Sequence, residues 1–425
     1  MDSPREILEK QKEAAARSIE YTEDLIEPVS QLKIFQYSLL WTIYRTMTDE
    51  NYRFNSKIPR PAILFSGKLP PEKYYLYSGN IPAGIIEELE QNSIQGMDLR
   101  LTGMGIGYIV SKVLKFPRSF KYKNIYQGKD KRRAEHNIRE LINSNIVDIE
   151  RFSSVLDKLF CERKPLFILL DQDRTKFRRI IAMKARQHSV PVYVIQHGMT
   201  PACTDNSIPF ANESFFPLYC DRIFTWGKHA AHYLTDGGVN PQNIIVAGNP
   251  YIPDVETNII PSDELLIIDQ QFEGQEDERE LSYRKLIDIL KSSGREYSIY
   301  LRNEYNRDFL TNIAGRERML SWSKNSAPAN IMKHRITVGF YSSALIESIA
   351  LNRPAVACDF MGRGNVMGFE GRGLFYADGR NIERSIEQAL EISAKADLSR
   401  TLEQFCIRRG RSAGKFIARS IMGIT

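Results

Sequence analysis

With 425 residues, 42% of them hydrophobic and 26% charged, the chain is too long for one ordinary core and reads as a globular protein of two domains. No apolar run approaches the roughly 18 to 20 residues that a bilayer span needs, and Met1-Asp-Ser-Pro-Arg-Glu lacks the apolar core of a signal peptide. The net charge of +6 permits an anionic substrate or membrane surface without demanding nucleic acid, and five scattered cysteines with no C-x-x-C pair point to a reducing cytosol rather than to a zinc or redox site.

Residues 1–57 read as a helical N-terminal extension. Leu32 to Met47 is apolar nearly all round, with Phe35, Trp41 and Tyr44 among its residues, which suits packing against protein better than lying in a lipid interface. Ile58-Pro-Arg-Pro ends the helical pattern, because proline lacks an amide donor and biases its predecessor to extended geometry. Residues 58–255 are then expected to form a Rossmann-like domain opened by a buried strand at Ala62-Ile-Leu-Phe. Leu101-Thr-Gly-Met-Gly reads as a turn leading into a helix from Ile109. The stretch Lys112 to Arg133 interleaves Lys121, Lys123, Arg132 and Arg133 with Phe116, Phe120, Tyr122 and Tyr126. Such a mixture can hold anionic lipid headgroups, an acidic polymer or single-stranded nucleic acid, or stand as a solvated loop, and no recognisable nucleic-acid module surrounds it.

From Pro165 the alternation of strand and helix is plain. Leu166 to Leu170 is a strand, Lys176 to His188 a helix and Pro191 to Ile195 a strand, a crossover that implies a parallel sheet. Asp171-x-Asp173 is a frequent pair with no further ligand cluster beside it, so no metal is expected. The second of these strands ends in Gln196-His197-Gly198. A proton-competent side chain thus stands at the carboxyl end of a parallel strand, where open α/β sheets bind ligands. The long polar segment Met199 to Pro217 has the character of an active-site cover. His229 and His232 lie one helical turn apart without a third ligand and read as surface residues. A strand from Asn243 closes at Gly248-Asn249-Pro250, and Pro253 to Asp263 reads as a linker.

Residues 256–425 are expected to form a second Rossmann-like domain with closing helices. Its strands are Leu265 to Ile268, Ser298 to Leu301, Ile336 to Gly339 and Pro354 to Cys358, followed by a glycine-rich loop, Gly362 to Gly373. Tyr341-Ser342-Ser343 places hydroxyls and amides at a helix start, where peptide dipoles favour an anion. Glu347 lies on the same helical face one turn further in and can accept hydrogen bonds from sugar hydroxyls, while Arg302 can neutralise a diphosphate. A serine N-cap with an ordinary helical glutamate would show the same residues.

The segments Val194-Ile-Gln-His-Gly198, Ile223-Phe-Thr-Trp-Gly227, Val246-Ala-Gly-Asn-Pro250 and Thr337 to Pro354 resemble the GT-B glycosyltransferases of bacterial surface and capsular polysaccharide synthesis, and the related CDP-glycerol glycerophosphotransferases. The resemblance covers roughly residues 160 to 400. It implies an α/β fold of two Rossmann-like domains facing a cleft, with a nucleotide-sugar donor on the second domain and a glycan or lipid-linked acceptor on the first. The resemblance implies catalysis by His197 and nucleotide binding by Ser342, Ser343 and Glu347; Arg302 joins the expected catalytic set, and Tyr341, Gly248 and Asn249 the expected nucleotide site. Lys121, Lys123, Arg132 and Arg133 are assigned to the acceptor or an anionic membrane surface. No metal, cofactor or nucleic acid is implied, and a cytoplasmic protein peripheral to the inner face of the membrane is expected. Many relatives carry His-Pro where this chain has Arg302-Asn303, and a permanently protonated arginine cannot act as a general acid. Polyol-phosphate transfer from a CDP-linked donor, sugar-nucleotide 2-epimerisation and a non-catalytic subunit of a polysaccharide assembly complex are the alternatives.

Overall fold

The structure, a computed structural model, describes residues 61–63, 73–99, 101–103, 152–173, 175–202, 215–216, 218–254, 259–270, 276–321, 326–392 and 398–424, together with residues 5–7, 9–14, 16 and 18. In the first half the strands are β1 (Pro61–Ile63), β2 (Tyr74–Ser78), β3 (Gln95–Asp98), β4 (Leu101–Gly103), β5 (Ile168–Leu170), β6 (Val192–Ile195), β7 (Arg222–Thr225) and β8 (Ile244–Val246). In the second half they are β9 (Ser262–Ile268), β10 (Tyr297–Leu301), β11 (Met319–Ser321), β12 (His334–Gly339), β13 (Ala355–Asp359) and β14 (Leu374–Asp378).

Two six-stranded sheets result, ordered β3-β2-β5-β6-β7-β8 and β11-β10-β9-β12-β13-β14, and every pairing within them is parallel. Parallel sheets need helices on both faces, which is why Ile168–Leu170 and Leu265–Ile268 are apolar without alternation and buried throughout. Strand order reverses between β2 and β5 in the first sheet and between β9 and β12 in the second, so each sheet opens a crevice at the carboxyl ends of those strands. This is an α/β fold of two Rossmann-like domains.

Two expectations change. Pro61–Ile63 does not open the first parallel sheet but pairs antiparallel with Leu101–Gly103, and the sheet begins at Tyr74–Ser78. The closing helix Gly410–Met422 does not stay with the second domain. It returns to the first and packs on helix Ala83–Gln91, where Gly84 and Gly414 let the two backbones approach closely and Ile417 and Ala418 enter the core beside Ile85 and Leu89. The N-terminal extension also reaches across: Ile7 packs with Leu281 and Met361, and Gln11 donates to Glu278, both on the second domain. Among the described residues no helix is long and apolar enough to cross a membrane.

Candidate functional site

Three strand ends meet around the reversal point of the second sheet: Asp269-Gln270 after β9, Arg302 after β10 and Tyr341-Ser342-Ser343 after β12. Asp269 is fully buried and accepts from the Tyr283 hydroxyl and the Asn306 amide, each at 2.8 Å. Burial raises its carboxyl pKa, opposed by those two hydrogen bonds and by Arg302. Gln270 ties the strand ends together. Its Oε1 accepts from the Tyr341 amide at 2.9 Å, its carbonyl accepts from Asn306 Nδ2 at 2.8 Å, and its own amide donates to the Tyr283 hydroxyl at 2.8 Å.

With Tyr341 held in this way, the two residues after it, the buried Ser342 and the half-buried Ser343, leave donors unused. Neither the amide of Ser342 nor that of Ser343 donates to any described protein acceptor, and the Ser343 hydroxyl makes no hydrogen bond there either. Glu347 follows one turn later on helix Ala344–Ala350, and its carboxylate accepts no hydrogen bond among the described residues. The side chain lies deep among protein atoms yet keeps part of its surface open, and burial pushes its pKa up to about 7, opposed by the charge of Arg302. Arg302 itself is exposed. The helix has only seven residues, so its dipole is small, and the positive charge at this site comes chiefly from Arg302 rather than from the aligned peptides expected from sequence.

Three of the sequence-assigned nucleotide positions have contacts within the protein. The Tyr341 hydroxyl donates to Asp359 Oδ1 at 3.3 Å, the carboxylate that also takes the amides of Met361, Gly362 and Gly364 and so shapes the turn after β13. Gly248 and Asn249 seat the returning chain. The Asn249 amide donates to the Arg408 carbonyl at 2.8 Å, the Gly410 amide donates to the Asn249 carbonyl at 3.1 Å, and a side chain at Gly248 would strike the Arg408 backbone.

In the first domain His197 is exposed just past the end of β6. Its neighbour Gln196 is buried and pins the turn on both sides: Oε1 accepts from the Trp226 amide at 2.7 Å, Nε2 donates to the Gly198 carbonyl at 2.8 Å, and the Gln196 carbonyl accepts from Trp226 Nε1 at 3.0 Å. Four residues further on, the Ala202 amide donates to the Val366 carbonyl at 2.8 Å, which joins this loop to the glycine-rich loop of the second domain. Asp171 and Asp173 are committed within the protein. Arg178 lies 2.7 Å from Asp171, and Asp173 accepts from the Tyr219 amide at 2.9 Å. Among the described residues no group of three or more His, Cys, Asp or Glu side chains could hold a metal ion. Lys121, Lys123, Arg132 and Arg133 lie outside the described residues.

The sequence reading passed over Asp269, Gln270, Asn306 and Gln196. The first two follow an uninterrupted apolar run just as His197 does, so the same signal was there to be used. Asn306 has none, since it meets Asp269 only through the fold.

No protein-family model matches the sequence, and no curated protein does. Among solved structures, a UDP-GlcNAc 2-epimerase from Neisseria meningitidis bound to UDP-GlcNAc is similar at 15% identity and a TM-score of 0.50, over 83% of this chain and 100% of that one. A putative UDP-N-acetylglucosamine 2-epimerase from Listeria monocytogenes is similar at 13% identity and a TM-score of 0.50, over 84% of this chain and 98% of that one. A lipopolysaccharide outer core galactosyltransferase in its apo form aligns at 13% identity over 82% of this chain and 98% of that one, with a TM-score of 0.42 that carries no weight. Two parallel six-stranded sheets, reversed at their crevices and aligned along nearly the whole length of those epimerases, give this chain the GT-B type of α/β fold.

Proposed function

We propose that the chain is a glycosyltransferase that moves a sugar from a nucleotide-sugar donor to a hydroxyl of a surface glycan or lipid-linked acceptor, without a metal. One observation carries the reading: at the reversal point of the second sheet, two amides, the Ser343 hydroxyl and the Glu347 carboxylate have no protein partner among the described residues, beside an exposed arginine. Partly open polar groups left unsatisfied at a crevice are complementary to a ligand with phosphate oxygens at one end and hydroxyls at the other. The amides and Ser343 take a phosphate, Glu347 accepts from the ribose hydroxyls, and Arg302 neutralises the diphosphate.

In the transfer the acceptor oxygen bonds to the anomeric carbon as the bond from that carbon to the diphosphate oxygen breaks. The diphosphate departs with the electron pair, and Arg302 stabilises its growing charge. The acceptor's proton goes to the imidazole of His197, the side-chain type most often used as a general base. His197→Ala is then expected to remove most turnover while nucleotide binding stays measurable by calorimetry, and normal turnover in that variant rules out the assignment. Thermal stabilisation by one of UDP, CMP, CDP or GDP names the donor, and stabilisation by none removes the reading.

A second reading is sugar-nucleotide 2-epimerisation, because two solved structures that share this fold at a TM-score of 0.50 are a 2-epimerase and a putative one. Inverting a carbon centre needs a proton removed from one face and returned on the other, hence two acid–base groups. Among these described residues of the first-domain crevice, Asp171 and Asp173 are buried while His197 is exposed. That favours transfer. Turnover of a nucleotide sugar with no acceptor present would reverse the preference.

A further inference from the structure

We infer that His229 is the positioning residue of an interdomain latch, which holds the His197 loop of the first domain on the glycine-rich loop of the second. The inference adds a closing device to the proposed transfer and rests on that reading only for the role of His197.

His229 lies in the first turn of helix Lys228–Asp236, yet it is not the surface residue its spacing predicts. Its Nε2 stands 3.1 Å from the Thr200 carbonyl, which can only accept, so Nε2 carries the proton and donates. The ring centroid is 5.0 Å from that of Phe405, which in turn packs at 6.2 Å from Phe369. Gly368 backs onto the same imidazole. It has φ of +63°, and a Cβ added there would stand 3.1 Å from His229 Cε1 and 3.1 Å from the Ala202 methyl. Ala202 is the residue whose amide donates to the Val366 carbonyl at 2.8 Å.

One side chain therefore touches three separate stretches: the loop that leaves His197, the glycine-rich loop of residues 362–373, and helix Ser399–Phe405, which precedes the return to the first domain. Burial favours the neutral ring, opposed by hydrogen bonds to the Thr200 and Pro201 backbone. The Thr200 hydroxyl is buried with no partner, so the loop has no second anchor through that side chain. Removing the imidazole N–H leaves the Thr200 carbonyl unsatisfied and frees the loop from Val366, while Ser343, Glu347 and Arg302 are untouched.

The test compares His229→Leu, which fills space without a donor, with His229→Gln, whose amide can still reach the Thr200 carbonyl. Amide hydrogen exchange is read on the apo protein at residues 198–202 and 366–368, so the result does not depend on which reaction the enzyme performs. His229→Leu is expected to speed exchange in both segments about five- to tenfold, the effect of one lost buried hydrogen bond. It should also lower kcat by a similar factor with the donor KM unchanged. His229→Gln should restore both to within about threefold. Gly368→Ala, which closes the same seat from the other side, should release the same two segments. Unchanged exchange in His229→Leu with native far-UV dichroism, or Gln as damaging as Leu, would overturn the latch. Absence of any turnover in the wild type, with exchange behaving as stated, would count against the transfer reading and leave the latch standing.

Discussion

The two sheets reverse strand order at β2 and β5 and at β9 and β12, and each places a buried aspartate there, Asp171 in the first and Asp269 in the second. Their surroundings differ. Asp171 is met by the Arg178 guanidinium at 2.7 Å and the Asn80 amide at 3.1 Å, and Gly79, at φ of +104°, passes so close that any side chain would collide with the carboxylate. Asp269 is met by neutral donors, Tyr283 and Asn306, and the nearby cation Arg302 turns its head outward. One crevice is filled by its own ion pair, whereas the other keeps unsatisfied amides, a hydroxyl and a carboxylate. Topology alone would make both crevices ligand sites. The polar groups left without hydrogen-bond partners among the described residues are what the proposed function rests on, and they lie at the second.

The comparison is broken most directly at Asp171. Removing one partner of a buried ion pair leaves the other charge uncompensated, so Asp171→Ala is expected to cost about 3–5 kcal/mol in chemical denaturation. Nucleotide affinity of the folded fraction should not change. A loss of affinity would mean that the first crevice also holds the nucleotide.

Glu347 sharpens the other side through pH. Its pKa in the folded chain is pushed up to about 7 from a usual value of 4.5, so between those values the native state holds more protons than the unfolded one. The stability it lends is complete below about pH 4.5 and is lost as pH rises through 7, a decline of at most about 3 kcal/mol. Melting curves of the apo protein from pH 5 to 8 should show that decline, and Glu347→Gln should flatten it. The same variant should bind its nucleotide about ten- to a hundredfold more weakly, because an amide replaces a charged acceptor of hydroxyl hydrogen bonds. Calorimetry measures this at one pH, and unchanged affinity would detach Glu347 from the nucleotide.

What the residues announced in advance depended on whether a strand was buried on both faces. Val192–Ile195, Leu265–Ile268 and residues 355–358 are continuous apolar or small runs, and the polar groups that follow them, His197 among them, stand out for that reason. Edge strands hid. Gln95–Asp98 has no buried residue and reads as a loop, Met319–Ser321 is short and half-exposed, and Leu374–Asp378 was lost behind the glycine-rich loop before it. The nucleotide role given to Gly248 and Asn249 rests on a glycine-asparagine turn that looks alike whether it meets a phosphate or a returning chain. Here the partner is residues 408–410, remote in sequence. His229 was misplaced for a related reason: helical spacing reports the face of its own helix, while its burial comes from Phe405 and Gly368.

The smallest effect falls on Tyr341, the residue that sequence put with the nucleotide. Its hydroxyl contact to Asp359 is long, at 3.3 Å, and Asp359 keeps a shorter one from Tyr376 at 2.8 Å along with three backbone amides. The Tyr341 amide, which fixes the approach to Ser342 and Ser343, is held by Gln270 and would survive substitution. Tyr341→Phe should therefore cost no more than about 1 kcal/mol of stability, since a well-satisfied acceptor loses one weak donor. It should leave nucleotide affinity within about twofold, whereas a hydroxyl bonded to phosphate would cost about fivefold or more on removal. Equilibrium denaturation and calorimetry on this one variant thus decide whether the open site begins at Ser342, as the unpaired amides indicate, or one residue earlier.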